Sequence, residues 1–345
     1  MMKRVMSLGL SLALAISLAA CSSSVSEAAS SAAATEEPTA VPEAEAPVTT
    51  FRIAGLKGPT TIGMVKLMSD AEAGETHQGY QVTMYGAADE VVPLLVKGDI
   101  DLAAIPANLA ANLYNQTEGK VQVAAINTLG VLYVVTTGDN VKSVEDLKGK
   151  TIYSTGKGTT PEYVLNYILK KNGIDPEKDL TVEYKSEATE VAAALQAAGE
   201  GAIAVLPQPY VTAAQSQIEG LNVVLNLTEE WNKVSTDSDL VTGVLVARTE
   251  FIEQNEAAFE EFLKDYQSSI EWVNSNTADA AELVANYGIV AKAPLAQKAL
   301  PACNITYVDG AEMKAKLSGY LQVLFDQNPK AVGGAMPGDD FYYGA

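Results

Sequence analysis

Apolar and polar positions alternate along the chain in a pattern that predicts short strands followed by helices, and the pattern occurs twice. Residues 51–56 read as a strand, and a turn with Gly58 and a helical run follow it. Residues 151–155 read as a second strand, which precedes a turn with Gly158 and another helical run. Strands that alternate with helices in this way predict an α/β protein with mostly parallel sheets that are covered by helices on both faces.

The second half of each copy keeps the same spacing. Asp89 precedes one apolar helical run, and Thr189 precedes another 100 residues later. Each run leads to a strand that ends in proline, at Pro106 and at Pro207, and a further helix follows each proline. This period exceeds the repeats of solenoid proteins. The repeat therefore predicts two similar α/β lobes that face each other.

Two further apolar runs predict the connections between the lobes. Residues 131–135 predict a strand that leaves the first lobe, and residues 240–247 predict the strand that returns to it. We therefore expect a hinge with two crossings and both chain ends in the same lobe. The expected organisation is a signal peptide (1–20), a lipidated cysteine with a disordered tether (21–50), the first part of lobe 1 (51–137), lobe 2 (138–240), and the return to lobe 1 with the C-terminal tail (241–345).

The N-terminus predicts export. Lys3 and Arg4 precede an apolar stretch of about 16 residues, which is typical of a secretory signal and short for a membrane span. The stretch ends in Leu-Ala-Ala-Cys at Cys21 and resembles the bacterial lipobox, whose cysteine is diacylated and becomes the mature N-terminus. An ordinary cleaved signal with an incidental cysteine is the alternative. Residues 22–50 offer little apolar surface to bury, so we expect them to form a disordered tether.

Composition and charge argue against several classes of function and of site. The chain has 43 acidic and 23 basic residues and a net charge of −20, and loss of Lys3 and Arg4 with the signal leaves −22. Such a charge argues against nucleic-acid binding. His77 lies in a polar stretch and reads as a surface residue, so no histidine remains for a catalytic triad or a multi-histidine zinc site. With Cys21 acylated, Cys303 is the only thiol, and no disulfide can form within the chain. The chain also lacks P-loop and dinucleotide motifs, so we expect no cofactor.

The two glycine-threonine turns are the first candidates for ligand binding. In open α/β sheets, ligands bind beyond the carboxyl ends of the strands, where helix N-termini present free N–H groups. Glycine lets the backbone approach a ligand, and threonine supplies a hydroxyl group. In the alternative interpretation, these threonines only cap helices. The candidates are Gly58, Pro59, Thr60 and Thr61 in the first turn and Gly158, Thr159 and Thr160 in the second.

Further candidates follow the two prolines that end strands. Asn108 lies after the first of these corners, and Gln208 and Tyr210 lie after the second. The amides can donate and accept hydrogen bonds, and the tyrosine could stack on a flat ligand. Equally, the amides could cap helices and the tyrosine could belong to the core. The last candidate stretch is residues 127–130 (NTLG), just before the outgoing hinge strand, and Thr128 is its predicted ligand contact.

Four stretches match a known family, and they are residues 55–60 (GLKGPT), residues 97–101 (KGDID) with Pro106 and Asn108, residues 144–152 (VEDLKGKTI) and residues 206–209 (LPQP). They resemble the bacterial solute-binding lipoproteins of the sulfonate, nitrate and thiamine-precursor binding superfamily. The resemblance implies the type II periplasmic-binding-protein fold, a two-crossing hinge and an ABC importer as partner. In such relatives the position of Gln208 is often glutamate, so the resemblance does not fix the charge of the ligand.

These features together predict an extracytoplasmic lipoprotein, and not an enzyme. We expect it to capture a small organic or anionic solute in an interlobe cleft and to pass the solute to the membrane subunits of an ABC importer. We also expect a monomer that is held at the outer face of the membrane by its lipid. Two alternatives remain open. One is an extracellular ligand sensor. The other is an enzyme on the same fold, for which Glu162, Glu187 and Glu190 are the candidate acid–base groups.

Overall fold

The structure is a computed structural model that describes residues 48–236 and 238–345. The predicted signal peptide (1–20), the predicted lipidation at Cys21 and nearly all of the predicted tether (21–50) lie outside these residues. Within the described ranges, none of the helices is both long enough and apolar enough to cross a membrane.

The described part of the chain contains eleven strands, arranged in two separate sheets. In chain order the strands are β1 (Thr50–Leu56), β2 (Gly79–Tyr85), β3 (Leu102–Pro106), β4 (Val121–Leu129), β5 (Leu132–Thr136), β6 (Thr151–Ser154), β7 (Thr181–Tyr184), β8 (Ile203–Pro207), β9 (Asn222–Asn226), β10 (Val241–Arg248) and β11 (Ile305–Val308).

Thirteen α-helices cover the sheets in the described ranges, and four short 3-10 helices supplement them at Val144–Leu147, Leu300–Ala302, Pro329–Val332 and Asp339–Phe341. The α-helices are α1 (Pro59–Ile62), α2 (Val65–Ala73), α3 (Ala88–Lys97), α4 (Ala107–Gln116), α5 (Thr160–Lys171), α6 (Ala188–Ala198), α7 (Tyr210–Gln215), α8 (Leu227–Val234), α9 (Thr249–Gln254), α10 (Glu256–Ser275), α11 (Thr277–Asn286), α12 (Ala293–Ala299) and α13 (Gly310–Gln327).

Strand pairing follows the repeat in the sequence. The first sheet has the order β11-β4-β10-β3-β1-β2, and the second has the order β7-β6-β8-β5-β9. β1 is parallel to β2 and β3, and in the same way β6 is parallel to β7 and β8. The predicted α/β fold class is confirmed. Both sheets are mixed, because β10 and β5 run antiparallel to their neighbours β3 and β8.

The first crossing between the lobes lies earlier than the sequence predicts. We assigned residues 51–137 to the first part of lobe 1, but β5 pairs with β8 and β9 in the second sheet. The chain therefore crosses at Gly130 and Val131. The apolar run that forms β5 is buried on both faces, and such a run predicts a strand without indicating which sheet it joins. The return strand β10 lies in the first sheet.

Three apolar cores stabilise the described part of the chain. One covers a face of the first sheet with α2, α10 and α11, and a small one lies under α6 and α7 of the second lobe. The third extends through both lobes, because α13 packs against α4 of the first lobe and α5 of the second. Its centre includes an aromatic contact of Trp231 with Tyr167 and with Tyr320, at ring-centroid distances of 4.5 and 5.8 Å. The helix α13 therefore joins the two lobes.

Candidate functional site

Four strand ends meet at one edge of the first sheet. β1 and β3 are parallel and end there, at Leu56 and Pro106. β10 begins at the same edge, because its Gly243 lies opposite Pro106. β4 ends there too, with Leu129 opposite Val241. The first glycine-threonine turn and the corner with Asn108 project from this edge.

The corresponding edge of the second sheet faces it. β6 ends at Ser154, β8 ends at Pro207, and β5 begins there with Leu132 opposite Pro207. Only Gly130 and Val131 separate β4 from β5, so the two edges must lie next to each other. The fold thus brings the predicted candidates of both lobes to two adjacent strand edges.

The first turn is buried at this edge. Thr61 Oγ1 donates a hydrogen bond to Leu56 O at 2.6 Å and so closes the turn within its own lobe. Thr60 is 5% exposed, and its Oγ1 has no hydrogen-bond partner among the described residues. Gly58 is buried with extended backbone, and Pro59 begins α1. Of this turn, Thr60 is the residue with unused hydrogen-bonding capacity.

The second turn is organised differently. Thr159 is exposed, and its Oγ1 donates to Gly156 O at 2.8 Å. Gly158 is also exposed and has a φ of 76°, in the left-handed region, and its N–H donates to Glu162 Oε2 at 2.5 Å. Thr160 alone among the three candidates of this turn is buried, at 5% exposure.

Two of the predicted residues meet across the lobes. Thr160 Oγ1 of the second lobe donates to Asn108 Oδ1 of the first lobe at 3.4 Å. Tyr320 of α13 donates its hydroxyl to Thr160 Oγ1, also at 3.4 Å. Asn108 Nδ2 donates to Ala331 O at the same distance. These long hydrogen bonds join the two halves of the molecule beside the facing strand edges.

The candidates after β8 hold the start of α7. Gln208 is 5% exposed, and its Oε1 accepts hydrogen bonds from Thr212 N and Thr212 Oγ1 at 3.3 and 3.0 Å. Tyr210 is half-buried, and burial followed by the charge of Glu187 raises the pKa of its hydroxyl. The Gln208 carbonyl oxygen is therefore used within lobe 2.

A cluster of polar residues around Asn127 completes the first edge. Thr128 is fully buried and donates its hydroxyl to Asn127 Oδ1 at 3.0 Å. Asn127 Nδ2 and the Tyr266 hydroxyl make no hydrogen bond of normal length and angle with any described residue. Burial raises the pKa of Tyr266, and the neighbouring Asn127 lowers it. A Cβ atom added to Gly243 would lie 2.5 Å from Thr60 Cγ2 and 2.6 Å from Asn127 Oδ1. Gly243 therefore lets Thr60 pack directly on the sheet beside Asn127.

Sequence reasoning missed three residues of the facing edges, which are Tyr266, Thr228 and Thr242. Each has a buried polar atom without a partner in the described part of the chain. The Thr228 hydroxyl lies at the crossing, 2.0 Å from where a Cβ atom of Gly130 would be. Asn127, by contrast, lies in the candidate stretch 127–130 that the sequence indicates. Tyr266 lies on the apolar face of the long helix α10, where nothing in the local pattern distinguishes it from core.

Two surface depressions of the described chain lie away from this edge. One, of about 420 Å³, lies between α2 and α10 and includes His77 and Trp272. The other, of about 700 Å³, lies at the opposite end of the first sheet beside Arg248. The candidate polar atoms of the facing edges are buried, whereas these depressions face solvent.

Comparison with known proteins identifies the class of this fold. A family described as "ABC transporter, phosphonate, periplasmic substrate-binding protein" matches residues 72–224, which include β2 to β8 and the start of β9. The crystal structure of an ABC transporter protein from Parabacteroides distasonis is 25% identical, with a TM-score of 0.70 over 86% of this chain and 98% of that one.

Two further proteins resemble this chain. The periplasmic aliphatic sulphonate binding protein SsuA from Escherichia coli is 19% identical, with a TM-score of 0.67 over 83% of this chain and 90% of that one. A Bacillus subtilis (strain 168) protein named as a binding protein, YtlA, is 28% identical over 134 residues, which are 39% of this chain and 38% of that protein. Residues 72–224 thus match the periplasmic substrate-binding proteins of ABC transporters, and the described part of the chain shares the fold of an ABC transporter protein.

Proposed function

We propose that this chain binds a small solute between the facing strand edges of its two lobes and delivers it to an ABC importer. The observation that carries the proposal is the set of buried polar atoms at these edges, of which Thr60 Oγ1, Asn127 Nδ2 and Thr228 Oγ1 are examples. A buried polar group without a hydrogen bond costs about 1–3 kcal/mol. A solute with complementary groups would offset this cost at several positions at once.

Closure of the lobes would couple binding to recognition by the importer. In the described structure the lobes touch beside the facing edges, through Asn108 and Thr160 and through a hydrogen bond from the Tyr133 hydroxyl to Ala302 O at 3.0 Å. A solute that contacts both edges favours this closed arrangement, because it loses half of its contacts when the lobes separate. The importer could then distinguish loaded from unloaded protein by the relative position of the lobes.

The proposal includes attachment to the membrane through Cys21. The lipobox-like motif and the following polar segment support it, because a diacylated cysteine with a flexible tether would hold the binding domain close to the importer. Two acyl chains are needed for stable anchoring, since a single chain binds membranes reversibly.

A thermal-shift screen of small metabolites tests solute binding. The screen includes sulfonates, pyrimidines, flavins and nitrate. A ligand at 100 times its Kd stabilises the folded state by about 2.7 kcal/mol and should raise the Tm clearly. We expect Thr60→Val to reduce the ligand-induced shift and Thr181→Val, at an exposed position of the edge strand β7, to leave it unchanged. Equal ligand-induced shifts in the two variants would place the site elsewhere.

Membrane attachment needs a separate experiment. Cells that express the full chain are grown with labelled palmitate, and membrane and soluble fractions are compared with those of the Cys21→Ser variant. We expect label and membrane association only in the parent protein. Equal membrane association of the unlabelled variant would contradict lipid anchoring.

A further inference from the structure

We infer that the solute of this site is an uncharged molecule with several hydrogen-bonding groups, rather than a sulfonate, a phosphonate or another oxyanion. The inference rests on the proposed function and specifies its substrate class. It depends on where the chain places its positive charges, its carboxylates and its neutral polar atoms.

The arginines of the described chain lie far from the facing edges. Arg52 contacts Asp101 through Nη2 and Nε, at 2.5 and 2.9 Å. Arg248 lies 3.8 Å from the same carboxylate and 2.7 Å from Glu250. Arg52 is four residues before the end of β1, and Arg248 is five residues beyond Gly243, so strand geometry puts both about 13–17 Å from the site. Neither can grip an anion there in the usual bidentate manner.

Other cations of the described chain are remote from the site, exposed or already paired. His77 precedes β2, at the same remote end of the sheet, and its ring lies 3.0 Å from Glu261. Lys57 and Lys157 belong to the two turns, but both are exposed to solvent. Lys185 follows β7 and is half-buried, but its Nζ lies 3.2 Å from Glu183 Oε2. A buried oxyanion would therefore have to compete with Glu183 for Lys185, since water screens the exposed lysines at the rim.

Carboxylates occupy the place where an anion would bind in lobe 2. Glu162 accepts the N–H of Gly158 just before α5, so the first free N–H of that turn already serves an internal anion. Burial, and after it the same carboxylate, raise the pKa of Tyr184 at the end of β7. Glu187 lies close enough to Tyr210 to raise the pKa of that hydroxyl as well. A second anion at this edge would meet repulsion from at least two carboxylates.

The unused polar atoms of the edges are neutral. They are four hydroxyls and one amide nitrogen, and each belongs to a buried or half-buried residue. Asn127 Nδ2 can only donate, whereas the hydroxyls can donate and accept. Such a set complements carbonyl, amide and hydroxyl groups, as in nucleobases, nucleosides, amides or polyols. The atoms are Thr60 Oγ1, Asn127 Nδ2, Thr228 Oγ1, Thr242 Oγ1 and Tyr266 Oη.

Fractions of a bacterial small-molecule extract test the inference. The extract is passed over a cation exchanger and then over an anion exchanger at pH 7, and the unbound neutral fraction and the eluted anionic fraction are each added to the purified full chain. We expect only the neutral fraction to raise the Tm, by at least about 2 °C. A rise with the anionic fraction alone would overturn the inference and uphold the proposed function. No rise with either fraction would contradict both.

A charge variant and a salt series sharpen the test. For the stabilising compound identified by mass spectrometry, we expect Lys57→Gln combined with Lys157→Gln to change the Kd by less than about twofold, and an increase of salt from 50 to 500 mM to do the same. A loss of about tenfold in either measurement would show that rim lysines hold an anion. The Asn127→Leu variant should abolish the shift with the neutral compound, since it removes a buried donor and keeps a similar volume.

Discussion

The two glycine-threonine turns have nearly the same sequence and lie at equivalent strand ends, yet their side chains have different roles. In the first turn Thr61 closes the loop and Thr60 is buried with a free hydroxyl. In the second turn Thr159 closes the loop in solvent, and Thr160 bonds across the lobes to Asn108. A repeat thus fixes where a turn lies, whereas the neighbouring elements decide what its side chains contact.

The largest effect is expected from filling the space beneath the first turn. Gly243→Ala would place a Cβ atom 2.5 Å from Thr60 Cγ2 and 2.6 Å from Asn127 Oδ1. Overpacking of this kind should lower the free energy of unfolding by about 2–3 kcal/mol, as measured by chemical denaturation. Thr60→Ser removes the nearer methyl group and should recover about 1 kcal/mol in the double variant. Wild-type stability of Gly243→Ala would show that the first turn does not pack on the sheet as described.

Valine at the two buried threonines should separate their roles. Thr160→Val leaves Asn108 and Tyr320 without their shared partner and should lower the free energy of unfolding by about 1 kcal/mol. Thr60→Val removes a buried hydroxyl that has no partner among the described residues. In the absence of solute, this change should raise the free energy of unfolding by about 1 kcal/mol. Urea denaturation of both variants measures the contrast. Changes of the same sign would mean that the two turns are equivalent after all.

Alanine at the glycines should show that only the second turn needs glycine for its backbone. Gly158 has a φ of 76°, so Gly158→Ala should cost about 1 kcal/mol. Gly58 has extended backbone and open space around its missing Cβ, so Gly58→Ala should change the stability little. Thermal denaturation of the pair is the measurement, and equal losses would contradict the assigned backbone conformations.

The smallest effect on stability is expected from Glu162, an acidic residue that has no counterpart in the first turn. Glu162 lies in the first turn of α5, where a carboxylate stabilises a helix by about 0.3–1 kcal/mol. We expect Glu162→Gln to lower the Tm slightly and the effect to shrink in high salt. The first turn of α1 has no acidic residue and provides no such contribution. A salt-independent loss would point to packing rather than charge.

The sequence predicted much of the architecture. The repeat landmarks correspond to equivalent strands, since Ile53 lies opposite Leu102 in the first sheet and Ile152 lies opposite Ile203 in the second. The family resemblance and the fold class are confirmed. The predicted assignment of β5 to the first lobe was wrong, because an apolar run indicates that a strand is buried but does not indicate which strands it pairs with.

Less of the candidate site than of the fold could be predicted from the sequence. Asn127 and Tyr266 are 139 residues apart and share no local motif, so only the tertiary fold brings the helix α10 against the end of β4. The solvent exposure of the threonines could not be predicted from the sequence either. Thr159 is exposed and Thr60 is buried because of elements far away in the chain. The ligand-contact roles of the predicted residues stay predictions until a bound solute is identified.

The strand order places the glycine-threonine turns at a distance from the two crossings between the lobes. The chain crosses between the lobes from β4 to β5 and returns into β10, while β1 lies two strands beyond β10, about 10 Å away. Any rotation about these crossings therefore displaces Thr60 and Thr160 more than residues near the pivot. A rotation of about 20° separates them by roughly 3–4 Å at that radius. The outer strands travel farther still, so small differences in how a solute fits between the turns are enlarged where a membrane partner would detect them.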